Sequence, residues 1–83
     1  MRLPKLQSLK IHLGVYRHYK GKEYDVLGVA RHSETFEPLV MYRARYDTRS
    51  LWVRPRKMFE GYLRVKGKRV KRFTFVGGPK NRG

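Results

Sequence analysis

Residues 15–32 read VYRHYKGKEYDVLGVARH. Two runs rich in Val and Tyr flank Lys20, Gly21 and Lys22, and Gly21 supplies the positive φ that a tight turn demands. The stretch therefore reads as a β-hairpin. The next segments continue the pattern. In LVMYRARYD, residues 39–47, Val40, Tyr42, Ala44 and Tyr46 fall on one face and Arg43, Arg45 and Asp47 on the other, the period of two that marks a strand. LWVRP, residues 51–55, reads as a short strand ended by Pro55, which cannot donate to a ladder. One short helical turn is expected near residues 56–61, stopped by Gly61. YLRVKGKRVKRFTFV, residues 62–76, reads as a second hairpin around Lys66, Gly67 and Lys68.

Five or six short strands with Gly-centred turns predict an all-β fold: a small antiparallel barrel, SH3-like, whose closure removes open edges. The barrel is expected over residues 14–76. Residues 1–13 read as an N-terminal arm or short helix, since Leu6, Leu9 and Leu13 fall at helical spacing and Pro4 suits a first turn. Residues 77–83 read as a flexible basic tail with nothing to bury.

The chain of 83 residues fits one domain, and a domain this small buries only about 60–65% of its unfolded surface. It has no cysteine, so neither a disulfide staple nor cysteine-based zinc spacing is available. Three scattered histidines do not replace them, and no metal or cofactor is expected. No apolar run approaches the ~20 residues of a membrane span. Lys10 and His12 interrupt the opening segment as a secretory signal. A soluble, cytoplasmic monomer is the expectation.

Charge is the anomaly. Twenty-one Lys and Arg face six Asp and Glu, a formal net of +15. Net charges that merely keep a small domain soluble seldom exceed about eight, so the surplus points to a polyanion, DNA or RNA. Arg64, Lys66, Lys68, Arg69, Lys71 and Arg72 fall within nine residues, and no acidic residue follows Glu60. They are the expected phosphate track, helped by Arg54, Arg56 and Lys57, with Arg43 and Arg45 nearby. An acidic protein partner is the other polyanion to consider.

A second constellation is a candidate pocket for a small anionic or base-like ligand. Trp52 and Arg54 lie two apart and share a strand face, where a guanidinium beside a flat apolar surface suits a base or an anion. A core Trp with an outward Arg is the competing reading. His18, Lys20 and the HSET stretch (His32, Ser33, Glu34, Thr35) complete the expected pocket. Tyr16, Tyr19, Tyr24, Tyr42 and Tyr46 divide between core and groove.

HSET also carries the side-chain types of a hydrolase. Neighbours in an extended strand point to opposite faces, so His32 and Ser33 are badly placed to pair, and no G-x-S-x-G elbow surrounds Ser33. Loop Ser, Thr and Glu commonly satisfy backbone amides instead. The chain reads as a binding protein, not an enzyme.

With YRHYKGKEYDVLGVARHSET, LVMYRARY, LWVRPRKMF and RVKRFTF in this order, the chain resembles the small bacterial family catalogued as domain of unknown function one-six-five-three. The resemblance spans roughly residues 14–76. It implies a compact single domain and no particular activity.

Overall fold

The computed structural model describes residues 10–78. Its elements run β1 (Gly14–His18), β2 (Glu23–Arg31), β3 (Pro38–Ala44), β4 (Leu51–Pro55), α1 (Arg56–Phe59), β5 (Tyr62–Val65), β6 (Lys68–Lys71) and β7 (Phe73–Gly77). The expected arm falls outside the described residues over positions 1–9, and the expected tail does so from position 79 onward. Among the described residues no helix is long and apolar enough to cross a membrane.

The all-β antiparallel class holds. One sheet has the order β4-β3-β2-β1-β7, and β5 pairs only with β6. The first hairpin forms as its sequence directs: Tyr16 lies opposite Tyr24 and Arg17 opposite Glu23, closed by Gly21 N–H donating to the His18 carbonyl at 2.7 Å. His18 therefore lies at the mouth of this turn and faces Phe73 across β7.

Alternation builds the core. Tyr16, Val26, Val40, Tyr42 and Phe73 share the inner face of the sheet and are buried with Phe59. A bulge between Val26 and Gly28 shifts the β2 register by one residue, which keeps Val29 on the inner face opposite Val40. Phe59 comes from α1 and stacks on Phe73, ring centres 4.1 Å apart and 10° from parallel, with Tyr16 and Tyr42 packed against its sides. The short helix matters mainly because it delivers that ring. It closes an aromatic cluster over a sheet too small to bury much else.

Two expectations are corrected. First, the sheet does not close into a barrel: β4 and β7 remain edges at its two ends. The β5–β6 hairpin, the element that would have had to bridge them, satisfies its ladder internally instead. Lys66 (φ 52°) and Gly67 (φ 79°) give its turn the two positive φ values of a type I′ connection. Arg54 and Pro55 on β4 discourage pairing at that edge. Second, residues 62–76 are not one hairpin. The chain bends at Arg72, whose backbone N–H donates to the Gly61 carbonyl and whose carbonyl accepts from Tyr19 N–H. Beyond the bend Phe73 enters the core, and β7 joins the main sheet beside β1. Burying Phe73 is what decides this, since a continued hairpin would leave its ring in water.

Gly14 is where β1 and β7 approach most closely. It holds φ at 142°, and a Cβ there would lie 2.2 Å from the Gly77 carbonyl oxygen. At Gly67 a Cβ would meet nothing, so only the backbone conformation resists substitution. Gly14→Ala is accordingly expected to cost about 2–4 kcal/mol, and Gly67→Ala about 1 kcal/mol. Thermal denaturation of the two variants should rank them in that order, and equal losses would mean that β1 and β7 are not held this closely.

Candidate functional site

Three groups of residues carry polar chemistry, and the fold separates them. The first lies on the inner face near the β4 edge. Trp52 is the direct cross-strand partner of Tyr42, and Arg54 follows on the same face. Arg54 Nε donates to the Tyr42 hydroxyl at 3.2 Å, and its guanidinium sits 5.8 Å from the centre of the Phe73 ring. One strand further in, Tyr24 shares a 2.5 Å hydroxyl–hydroxyl hydrogen bond with Tyr46 and meets both Tyr42 and Tyr46 edge to face. Tyr24, Tyr42, Tyr46, Trp52 and Arg54 line a recess of 170 Å³. Trp52 is 52% exposed, so it is a surface ring and not part of the core. Its place on an edge strand decides this, because nothing packs beyond it.

The electrostatics here are one-sided. Burial, the bond to Tyr46 and the neighbouring phenols push the Tyr24 hydroxyl up to about 12, with Arg54 opposing them. Burial holds the His18 imidazole below its ordinary value, and Arg54, Arg72 and Lys20 lower it further. Arg72 Nε is buried without a hydrogen-bond partner. A buried unpaired donor costs stability unless something outside the fold uses it. Among the described residues no carboxylate lines the recess, and Asp47 lines the smaller hollow that shares Tyr46 and Trp52 with it. A larger hollow of 370 Å³ next to Tyr16 and Phe59 is mostly apolar, with Glu60 and Lys71 offsetting each other on its wall.

The second group is the β5–β6 hairpin. Tyr62 lies opposite Lys71, and Arg64 opposite Arg69, so these four share one face. All four are exposed, and the Arg69 guanidinium sits 3.8 Å from the centre of the Tyr62 ring. Leu63, Val65 and Val70 share the other face with Lys68, and Lys66 projects at the turn. The six expected track cations are thus divided. Arg64, Arg69 and Lys71 form a strip, Lys66 and Lys68 lie at its tip and reverse side, and Arg72 turns toward the body. Tyr62 is not among the residues expected from sequence, although Y-x-R at the start of a strand places an aromatic and a cation on one face. Of the helper residues, Arg56 bonds to Glu60 just past the end of α1, Arg45 to Asp25 on the sheet, and Lys57 is exposed.

The third group, HSET, does not join Trp52 and Arg54. The loop lies at the Arg31–Pro38 end of the β2–β3 ladder, whereas Tyr24, Tyr42 and Tyr46 place most of the recess toward the Tyr24–Ala44 end. Trp52 lies opposite Tyr42 and Arg54 opposite Val40, four and two residues along β3 from Pro38, about 13 and 7 Å, and no HSET residue lines the recess. His32 Nδ1 accepts from the backbone N–H groups of Glu34 and Thr35 at 3.1 and 3.3 Å, and Thr35 Oγ1 exchanges hydrogen bonds with Glu37. Nδ1 is thus held by the loop's own backbone rather than by Ser33. Among the described residues no three His, Asp or Glu side chains gather as a metal site.

The model of a family described as a protein of unknown function, DUF1653, matches residues 14–75. The chain is a member of DUF1653. A crystal structure of a DUF1653 protein from Bordetella bronchiseptica is 31% identical, with a TM-score of 0.76, over 94% of this chain and 100% of that one. No curated protein matches the sequence. The segment that this DUF1653 chain shares with its family contains both the recess and the hairpin, and nothing in the family's description points to catalysis.

Proposed function

We propose that this chain is a non-catalytic module that binds DNA or RNA, gripping phosphates through the exposed face of the β5–β6 hairpin. The observation that carries the reading is that face: Arg64, Arg69 and Lys71 flank Tyr62, and all six acidic residues of the chain lie at or before Glu60. Elsewhere acids offset the cations, as in the Arg17–Glu23 and Arg45–Asp25 pairs at 2.8 Å. Among the described residues no ion pair does so on the hairpin. Contacts of this kind are indifferent to base sequence, and they give affinity through released counterions. A cytoplasmic setting, where nucleic acid is at hand, belongs to the same proposal.

The test is fluorescence anisotropy with labelled DNA and RNA oligomers over a range of salt. If ~6–8 phosphates are neutralised, log K should fall against log salt with a slope of about −5 to −7 on duplex DNA. Affinity that ignores salt, or no binding at low salt, rejects the reading. An acidic protein would use the same cations, and partners retained after exhaustive nuclease treatment would favour that alternative.

A further inference from the structure

The recess at the β4 edge is not needed for a phosphate grip, yet it has the composition of a site. We propose that the recess lined by Tyr24, Tyr42, Tyr46, Trp52 and Arg54 takes a single nucleotide unit, its ring against Trp52 and its phosphate on Arg54. Where the unit is part of a strand, this rests on the nucleic-acid reading above; a free mononucleotide would present the same chemistry independently.

Four observations meet here. The Trp52 indole is half-exposed beside the phenol rings, a flat apolar surface open to solvent. Any base can stack on such a platform, because every base has a π-face. Arg54 spends its Nε on Tyr42, which fixes the plane of the guanidinium, while its two terminal amino groups have no hydrogen-bond partner among the described residues. A held guanidinium with its fork free is suited to bidentate capture of a phosphate. The Tyr24 and Tyr46 hydroxyls, bonded to each other, offer a donor and acceptor to a ring edge. Finally, Arg54 is the one charged side chain that lines the recess among the described residues, and its field reaches His18 together with those of Arg72 and Lys20.

Size selects the occupant. A recess of 170 Å³ has room for one ring but not for a base pair. Bases inside a duplex cannot reach it without leaving the stack, so the site should favour single strands or free nucleotides.

The experiment follows Trp52 emission, which is unambiguous because the chain has one tryptophan. Wild type and Arg54→Gln are titrated by emission with adenosine monophosphate, adenosine, inorganic phosphate, and single- and double-stranded oligomers, while Trp52→Leu, which has no tryptophan left to follow, is compared by oligomer anisotropy and by the His18 titration. Trp52→Leu lies on an exposed position and guards against misreading a folding defect in Arg54→Gln. The His18 ring is followed by NMR pH titration as a second readout. A phosphate held on Arg54 offsets the cations around the imidazole and should raise its titration point.

Quenching by the mononucleotide, at least ~10-fold weaker in Arg54→Gln and stronger than by adenosine or phosphate alone, supports the proposal with a free nucleotide as source. Quenching by single strands only, sparing duplex and mononucleotide, supports it with a strand as source. Oligomer binding at wild-type strength in both variants, with silent Trp52 emission and an unmoved His18, overturns the recess while leaving the hairpin reading intact. No binding of any probe at low salt overturns both.

Discussion

Phe73→Ala is expected to leave much of the protein unfolded at room temperature. The Phe73 ring is 3% exposed and touches nearly every large side chain of the core: it stacks on Phe59 and meets Tyr24, Tyr42 and His18 edge to face. Truncating a buried Phe costs about 3–5 kcal/mol through lost transfer energy and the cavity left behind. A chain of this size has roughly 4–12 kcal/mol in total. The loss is compounded because Phe73 is the first residue of β7, and its burial directs that strand beside β1. Phe75→Ala on the same strand removes a ring that is 41% exposed, and it should cost only about 1 kcal/mol. Urea denaturation of both variants gives the comparison. Similar midpoints for the two would show that the stacked pair is not the centre of the core.

The second large effect is on binding. Replacing Arg64, Arg69 and Lys71 together by Ala should reduce the magnitude of the salt slope by about 2.7, at about 0.9 for each phosphate no longer neutralised. At low salt, where released counterions contribute most, the variant should lose the larger part of its affinity for nucleic acid. The substitutions touch no core residue, since all three side chains are exposed, and stability should change by less than about 0.5 kcal/mol each. Lys57→Ala gives the single-cation comparison. It removes a single exposed cation from α1, one expected to help the track, and should flatten the slope by no more than about 0.9.

Much of the fold was legible in local sequence. The period of two from Val40 to Ala44 identified β3 and its buried face, and Lys66–Gly67 marked a turn that only positive φ values satisfy. Pro55 and Gly61 bracketed the single helical turn. What could not be read was long-range. Whether β7 extends the second hairpin or crosses to β1 depends on Phe73 meeting Phe59, a contact that no window of neighbouring residues contains. Closure into a barrel failed for the same reason, because the hairpin had already satisfied its own hydrogen bonds.

The site was legible in its residue types and misread in its grouping. Trp52 and Arg54 were correctly placed on one face by alternation, but whether the indole was buried depended on β4 being an edge. The HSET loop carries suggestive side chains, and their hydrogen bonds turn out to serve the turn itself. The cluster of six cations divides because a two-stranded ribbon has two faces and because Arg72 sits at a bend. Charge surplus is visible in composition, whereas a continuous strip requires the register.

The most direct measurement of the central claim is the salt dependence of nucleic-acid affinity for the wild type beside the Arg64→Ala, Arg69→Ala, Lys71→Ala variant. A steep wild-type slope that flattens by about two to three in the variant is the expected result. Parallel lines, or a wild type that does not bind at low salt, would mean that the hairpin is not where phosphates are held.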